Sequence, residues 1–215
     1  MTVLVTSPCR LHFALIDLNG ELGRVDGGIG VALNEPALEL AVSAVDNEAD
    51  EQNPEDVVPV LERIRRRVKP ELKGNYRVTI VKQLPPHVGL GSRTQLSLSV
   101  AKALAVLEKG NDNVVELARQ VGRGGTSGIG TAAFDKGGFI LDGGHLFRRG
   151  ADKGRGIKTS FLPSSASDVP PPPVIFQHPL PERWFFVLAI PDVKRGAHGR
   201  EELEIFKQYC PIKGE

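Results

Sequence analysis

The sequence predicts an α+β fold of two layers, in which strands and helices alternate along most of the 215-residue chain. Three observations indicate this class. From residue 9 to residue 16, every second side chain beginning with Cys9 is apolar, and the residues between them begin with Arg10 and His12. This alternation has the period of a strand. Apolar residues recur at helical spacing over 57–68, and residues 96–107 are apolar or small nearly all round. A helix of the latter kind is buried, so it must pack inside the protein.

The composition excludes several classes of protein as defaults. Lys and Arg number 27 and Asp and Glu 26, a net charge of +1, whereas nucleic-acid and membrane-surface binders carry a clear basic excess. No run of about 18 apolar residues is present, and the first residues lack the features of a signal peptide. We therefore expect a cytoplasmic protein with no nucleic-acid or membrane partner. A disulfide between Cys9 and Cys210 is possible in principle, but two reduced thiols are favoured in that compartment.

The first half of the chain predicts a strand, a turn and a second strand. If the strand over 9–16 packs one face into the core, Arg10 and His12 share the other face. The segment Asp17-Leu18-Asn19-Gly20 follows as a turn, because Asn-Gly favours positive φ. Residues 38–45 predict the second strand.

The middle of the chain predicts further elements from its apolar spacing. They are a helix over 57–68, a strand over 76–81, a buried helix over 96–107, a helix over 113–121, a helix opened by the glycine-rich stretch 123–138, and a strand over 137–141. The helix over 57–68 follows a run of acids and carries Arg63, Arg65, Arg66 and Arg67, an order that suits the helix dipole. A solvated helix face is favoured there over a binding patch.

The last third of the chain predicts a break between two domains. Residues 150–183 lose periodicity and include four consecutive prolines at 170–173, which favours a linker or loop over a strand. Residues 184–190 then predict an apolar strand and 200–209 a short helix. We expect an N-terminal domain over 1–160, a linker over 161–183 and the start of an incomplete second domain over 184–215. The uncovered apolar strand is expected to cause self-association.

Two glycine-rich stretches with helix starts predict sites for phosphate groups, because free N–H groups and the helix dipole attract anions. The candidate phosphate-binding residues are Gly89, Leu90, Gly91, Ser92, Arg93 and Thr94 in one stretch, and Gly125, Thr126, Ser127 and Gly128 in the other. A helix entry that merely needs positive φ is the simpler alternative. The first stretch is not a P-loop, because no Gly-Lys-Ser or Gly-Lys-Thr follows it. Between His145 and Lys158, five basic residues against one acid form a further patch suited to an anion.

A third glycine-rich stretch, Gly23 to Leu33, carries an arginine and an aspartate. Arg24 and Asp26 stand beside Gly27 and Gly28, just before an apolar strand. This arrangement suggests polar groups beside a closely approached ligand, and a surface salt bridge next to a tight turn is the alternative.

These motifs resemble the GHMP superfamily of small-molecule kinases and related enzymes. Pro86-x-x-Gly89-Leu90-Gly91-Ser92 is similar to its P-x-x-G-L-G-S-S-x-A phosphate loop, and Ser127-Gly128-x-x-x-Ala132 with Gly137-Gly138 to its S-G-x-D-x-A…G-G segment. Residues 10–20 and 23–30 resemble one family within it, the β-ribofuranosylaminobenzene 5′-phosphate synthases of methanopterin biosynthesis. The resemblance implies a ribosomal-S5-domain-2-like N-terminal domain and a ferredoxin-like C-terminal domain, here expected to be incomplete.

The sequence departs from the kinase pattern at two positions. Gly130 stands where the kinases carry a catalytic aspartate, and Arg93 where they repeat a small residue. The third glycine-rich motif of the superfamily is absent from these 215 residues.

The resemblance implies a reaction of 4-aminobenzoate or 4-hydroxybenzoate with phosphoribosyl pyrophosphate, giving a riboside 5′-phosphate, CO2 and pyrophosphate. A pentosyl transferase of this kind is expected to act as a homodimer and to use Mg²⁺, with Ser92, Thr94 or Asp17 as possible ligands. An ATP-dependent GHMP kinase and an inactive fragment are the alternatives.

Particular residues are expected to fill the roles that this reaction needs. The catalytic candidates are Arg24, Asp26 and His12, and the substrate-binding candidates are Arg10, Asp17, Asn19, Gly27 and Gly28. Arg10 or Arg24 would hold the benzoate carboxylate, and replacing Arg24 is expected to harm activity far more than stability. His12 would be an acid–base group, or equally a satisfied strand histidine. The other histidines are expected at the surface, with no metal-ligand spacing among them.

Overall fold

The fold is organised around one long strand of 22 residues, β2 (Arg24–Val45). A computed structural model describes residues 1–47, 52–68, 72, 74–122, 128–150, 156–163, 169–190 and 200–213. The other strands are β1 (Thr2–Asp17), β3 (Asn75–Lys82), β4 (Phe139–Asp142), β5 (His145–Phe147), β6 (Ile157–Lys158) and β7 (Val174–His178). The helices are α1 (Val58–Arg67), α2 (Ser92–Leu107), α3 (Val114–Gln120), α4 (Gly128–Lys136) and α5 (Arg200–Tyr209).

Strands β1 and β2 form a long antiparallel hairpin. Their register runs from Thr2 opposite Ser43 to Asp17 opposite Asp26. The pairing skips residues 34–37, which include Pro36, because proline has no N–H for a sheet ladder. The predicted turn after β1 is confirmed, since the Oδ1 of Asp17 accepts the N–H groups of residues 19 and 20 at 2.8 and 2.9 Å.

The opposite edge of β2 pairs with three other strands in succession. β5 pairs with residues 24–25, β4 with residues 28–31 and β3 with residues 39–45, all antiparallel. β7 then adds to β4, and β6 to β5. In the described part of the chain these seven strands make one sheet.

A helical layer covers this sheet, and α2 is its centre. Ten of the positions of α2 from Thr94 to Leu104, among them Leu98 and Val100, are buried, as the sequence predicts for a helix that is apolar all round. α2 and α4 contact β1 and β2, while α1 and α3 contact α2. The structure confirms the two-layer α+β class, with the core between sheet and helices.

Two expectations for the last third of the chain are wrong. The predicted linker contains a strand, β7, which pairs with β4 directly after the prolines. β7 has no strand on its other side in the described sheet, and Ile175 and Phe176 are exposed, so its sequence lacks the alternation of a half-buried strand. The predicted strand over 184–190 forms no ladder in the described chain, because a strand needs a neighbour whose backbone groups it can pair with. The helix over 200–209 is confirmed.

We expect self-association through the exposed apolar run 184–190. Trp184, Phe185 and Val187 are 64%, 89% and 96% exposed, and contiguous exposed apolar surface of this kind favours association. Light scattering should show mass above the monomer at high concentration. A Phe185→Asp/Val187→Asp variant should shift towards the monomer, whereas a monodisperse wild-type monomer would contradict the expectation.

Candidate active site

The glycine-rich loop before α2 forms the first part of the site. Gly91 caps the helix with a φ of +79°, a left-handed conformation that favours glycine. Its carbonyl accepts the N–H groups of Thr94 and Gln95, both at 3.0 Å. The N–H groups of Ser92 and Arg93 precede the first intrahelical bonds, so they are available to a ligand at the positive end of the helix dipole.

Arg10 of β1 lies against this loop. Its backbone N–H donates to the carbonyl of Leu90 at 3.1 Å, and its Nη1 donates to the carbonyl of Gly89. The side chain fills the space beside Gly91, where an added Cβ would be 3.0 Å from the Cγ of Arg10. Burial lowers the pKa of Arg10, and its Nε is buried without a hydrogen-bond partner. The structure therefore brings Arg10, a predicted substrate-binding residue, together with the predicted phosphate loop.

A histidine and an aspartate each border the space above Gly28 in the middle of β2. A Cβ added to Gly28 would lie 2.8 Å from the Nε2 of His12 and 3.0 Å from the Oδ2 of Asp142. His12 is exposed at its outer edge, but desolvation, followed by the charge of Arg10, lowers the pKa of its ring. The imidazole is therefore neutral near pH 7, where it can accept a proton or a hydrogen bond.

Asp142 itself is 4% exposed, and burial raises its pKa to about 6. Its Oδ1 accepts the N–H of Gly144 at 3.0 Å. Its Oδ2 lies only 2.5 Å from the position of a Cβ on Gly128, so the first residue of α4 must be very small. A carboxyl group with this pKa can donate or accept a proton near neutral pH.

Asp142 is absent from the residues that the sequence singles out as functional. One signal was present: Asp-Gly-Gly occurs twice, at 26–28 and at 142–144, and in the structure Gly28 pairs with Asp142 across β2 and β4. The motif alone does not reveal that the two segments are neighbours.

Asp26 is the centre of a buried ionic cluster at the start of β2. Its Oδ2 contacts the Nδ1 of His145 at 2.7 Å and accepts the Nζ of Lys158 at 2.8 Å. All three side chains are at least nine-tenths buried. Burial raises the pKa of Asp26, but the hydrogen bonds and charges of His145 and Lys158 outweigh that effect, so its pKa is lowered overall.

This cluster corrects two expectations. His145 was expected at the surface, yet it is 5% exposed and its Nε2 is buried without a hydrogen-bond partner. Lys158 was counted in a basic patch for an anion, yet it is buried and paired with Asp26. The sequence misses both because the partner lies more than a hundred residues away.

Arg24 holds the tight turn between β4 and β5. Its Nε donates to the carbonyl of Gly143, and its Nη2 donates to the carbonyl of Gly144 at 2.6 Å. Arg24 therefore has a structural role in addition to the expected contact with substrate, because its replacement would take charge-assisted hydrogen bonds from two carbonyls. That its replacement harms activity far more than stability stays a prediction. The turn that Arg24 holds also positions Asp142 and His145.

The remaining predicted residues lie apart from the phosphate loop. Asp17 is seven residues along β1 from Arg10, on the order of 20 Å at the rise of a strand. Asp17 and Asn19 cap the turn that follows β1, and Gly27 lies nearby on β2. Thr94 is buried in the first turn of α2, whereas Ser92 is half-buried at its start. Gly125, Thr126 and Ser127 lie outside the described residues.

A cavity of about 230 Å³ lies beside the phosphate loop. It is lined by α1, the segment before the loop and the first turns of α2, and Arg63 and Arg93 contribute to its wall.

No three His, Cys, Asp or Glu side chains of the described residues cluster as metal ligands. No helix in the described ranges is long and apolar enough to cross a membrane.

We expect Asp26→Asn to destabilise the fold strongly. Asparagine tolerates the φ of +66° at this position, but it leaves the Lys158 ammonium buried without a countercharge. The free energy of unfolding, measured by urea denaturation, should fall by about 3–5 kcal/mol. The double variant Asp26→Asn/Lys158→Met should recover part of the loss, and a change below about 1 kcal/mol in the single variant would contradict the ionic assignment.

We expect Asp142→Asn to stabilise the fold at high pH. Because the folded pKa of Asp142 is raised above the unfolded value, the buried carboxylate costs stability above pH 6, and that cost vanishes as the pH falls towards 4. The variant should exceed the wild type by about 1–3 kcal/mol at pH 8. Thermal unfolding at pH 8, 6 and 4.5 measures this, and a difference that is independent of pH would contradict it.

Comparisons with known proteins agree with the motifs. Residues 56–138 match the family described as GHMP kinases N terminal domain. Proteins named β-ribofuranosylphenol 5′-phosphate synthase are 42% identical over 98% of this chain in both Methanothermobacter thermautotrophicus and Methanocaldococcus jannaschii. The chain spans 64% and 66% of the length of these relatives.

A solved structure supports the fold. Phosphomevalonate kinase of Streptococcus pneumoniae superposes with a TM-score of 0.50 at 14% identity, covering 68% of this chain and 49% of that one. The likeness extends to the fold alone. Together with the sequence matches and the loop geometry, it leads to one assignment: the chain belongs to the GHMP superfamily.

Proposed function

We propose that this chain catalyses the synthesis of a β-ribofuranosylphenol or β-ribofuranosylaminobenzene 5′-phosphate. The substrates would be 4-hydroxybenzoate or 4-aminobenzoate and phosphoribosyl pyrophosphate, and CO2 and pyrophosphate would leave. The enzyme would be a pentosyl transferase of tetrahydromethanopterin biosynthesis. The observation that carries the proposal is the 42% identity to the named synthases along 98% of the chain. The name of these relatives, with its phenol product, favours 4-hydroxybenzoate as the acceptor.

The phosphate loop is suited to the departing pyrophosphate. As the bond from C1 of the ribose to pyrophosphate oxygen breaks, negative charge grows on the leaving group and positive charge on the ribose. The N–H groups at the start of α2, the hydroxyl of Ser92 and the guanidinium of Arg93 can stabilise that negative charge. Arg10 adds a positive charge directly beneath the loop.

The acceptor carbon must then form a bond to C1 of the ribose. The ring carbon that carries the carboxylate supplies the electron pair, and the ring briefly loses its aromaticity. Loss of CO2 returns the electrons of the C–C bond to the ring, so no net proton is consumed. Neutral His12 can accept a hydrogen bond from a hydroxyl group of the ribose, which would orient the sugar for attack at C1. The carboxyl of Asp142 faces the same space above Gly28.

Mg²⁺ fits this site as an ion carried mainly by the substrate. It prefers oxygen ligands and commonly takes only one or two from the protein, with phosphate oxygens and water as the rest. Ser92 offers a hydroxyl at the start of α2, whereas Thr94 is buried and the Oδ1 of Asp17 already accepts two N–H groups. We therefore propose Ser92 as the ligand, and the ion would neutralise charge on pyrophosphate.

An ATP-dependent kinase is the competing function, favoured by the match to the GHMP kinase domain. Its weakness lies at Gly130, where the kinases of the superfamily carry a catalytic aspartate. Glycine has no side chain for general-base help, which is worth roughly 10²–10⁴-fold. The carbonyl of Gly130 accepts the Nε2 of Gln95 at 3.0 Å, so this position joins α4 to α2.

The decisive test assays both reactions with the 215-residue chain and Mg²⁺. We expect CO2 release from carboxyl-labelled 4-hydroxybenzoate that depends on phosphoribosyl pyrophosphate, and no ADP release from ATP with a panel of alcohols. ADP turnover without such CO2 release would overturn the proposal and favour the kinase.

Arg93→Gln should lower kcat/KM for phosphoribosyl pyrophosphate by about 10–100-fold. A hydrogen bond to a charged group is worth about 1.5–3 kcal/mol, and each factor of ten in rate is 1.36 kcal/mol. Arg66→Gln is the matched control, because Arg66 is exposed and paired with Glu62 at 3.5 Å. Equal losses in both variants would contradict a specific role for Arg93.

A further inference from the structure

The cavity between α1 and the start of α2 combines buried apolar side chains with two arginines, and no role has been assigned to it. Its wall includes Leu38, Val60, Leu84 and Leu96, together with Arg63 and Arg93. We propose that this cavity binds the aromatic carboxylate, with its ring between the apolar side chains and its carboxylate facing Arg63. The proposal rests on the proposed function for the identity of the ligand, but its location follows from the cavity.

The size of the cavity favours a single ring. Its volume is about 230 Å³, below the roughly 300–1,000 Å³ that is usual for drug-sized ligands. A benzoate with one para substituent fits such a space, whereas a nucleoside would have to extend outside it. The four aliphatic side chains come from β2, α1, the segment after β3, and α2. Each is at most 7% exposed, so the wall is fixed by the core of the fold.

The charges around the cavity favour an anion. Arg63 is half-buried, and burial, followed by the charges of Arg67, Arg93 and Arg66, lowers its pKa. Several arginine side chains therefore lie close together where they are incompletely solvated. One nitrogen of Arg63 donates to the carbonyl of Val121 at 3.1 Å, which fixes the direction of the guanidinium. A carboxylate in the cavity would relieve the repulsion and accept from a fixed donor.

The other polar groups of the cavity can recognise the para substituent. Asp56 and Gln83 both line it, and the Nε2 of Gln83 donates to the Oδ2 of Asp56 at 3.1 Å. This pair offers both an acceptor and a donor to a hydroxyl or amino group. By contrast, the guanidinium groups of Arg10 and Arg24 are not part of the cavity wall, and each already donates to backbone carbonyls.

The cavity is also placed correctly for the chemistry. It shares Ser92 and Arg93 with the phosphate loop. Arg93 makes no side-chain hydrogen bond to the described residues, so it can face either anion. An aromatic carboxylate held here would lie next to a pyrophosphate bound at the start of α2, which brings the reacting carbon and the ribose into one site.

The test uses 4-fluorobenzoate as a ¹⁹F NMR probe of the wild-type chain. We expect saturable binding at millimolar concentrations or below, displaced by 4-hydroxybenzoate and not by 4-hydroxybenzyl alcohol, which lacks the carboxylate. Adenosine should displace the probe less well than 4-hydroxybenzoate. Absence of binding, or stronger displacement by adenosine, would overturn the proposal.

Three variants locate the probe. Arg63→Gln should raise the Kd of 4-fluorobenzoate at least tenfold. Arg63→Lys should raise this Kd less, because lysine keeps the positive charge but loses the planar, bidentate donors of the guanidinium. Leu96→Phe fills the cavity and should abolish binding, with circular dichroism to verify folding. Arg119→Gln, exposed on α3 and paired with Glu116, should bind as the wild type does. Unchanged Kd in both Arg63→Gln and folded Leu96→Phe would place the ligand elsewhere.

The outcome separates this proposal from the proposed function. Turnover of 4-hydroxybenzoate with an unchanged KM for it in Arg63→Gln would overturn the cavity assignment and leave the synthase intact. Binding that responds to these variants, without turnover, would support the cavity and count against the synthase.

Discussion

The backbone pairing of β2 is the constraint on which the rest of the molecule depends. Four strands hydrogen-bond to it directly, and α2 and α4 pack on the sheet that results. Small residues in its middle allow the next layer to approach: a Cβ on Gly30 would lie 2.3 Å from the Cγ2 of Ile129. Each functional group of the site is therefore positioned relative to β2, either on it, opposite it, or on a helix that rests upon it.

The polar groups divide into regions with different electrostatic character. Around the start of α2, arginines lie close to one another and to free N–H groups, so the local field favours an anion. Around Asp26 the opposite charges compensate within hydrogen-bond distance, and the cluster is buried. Such a cluster is a weak source of stability, since desolvation offsets the attraction, but its geometry is specific. For His12 and Asp142, desolvation above all shifts each pKa in favour of the uncharged form of the side chain: the pKa of His12 is lowered and that of Asp142 is raised.

The parts of the fold with local signals could be predicted from the sequence. The turn after Asp17 depends on neighbours in the chain, and the burial of α2 on its own composition, so both are as expected. β7 has no such signal, because it is an edge strand with exposed side chains and its only described partner is β4. In the site, the family motifs indicated Arg10 and the loop as functional but not that they are in contact, and the burial of His145 and Lys158 could not be inferred. Their surroundings are produced by pairings that bridge more than a hundred residues.

The separation of these pairings along the chain has a consequence for the order of folding. The hairpin of β1 and β2 closes a short loop, so it can form early at a small cost in chain entropy. The ladder that brings His145 beside Val25, and that of Asp142 beside Gly28, must close a loop of more than a hundred residues. Of the groups around the site, His12 and Asp26 belong to this hairpin, whereas Asp142 and His145 join it only when the long loops close. The carboxyl of Asp142 therefore depends on a more costly chain closure than the imidazole of His12 does.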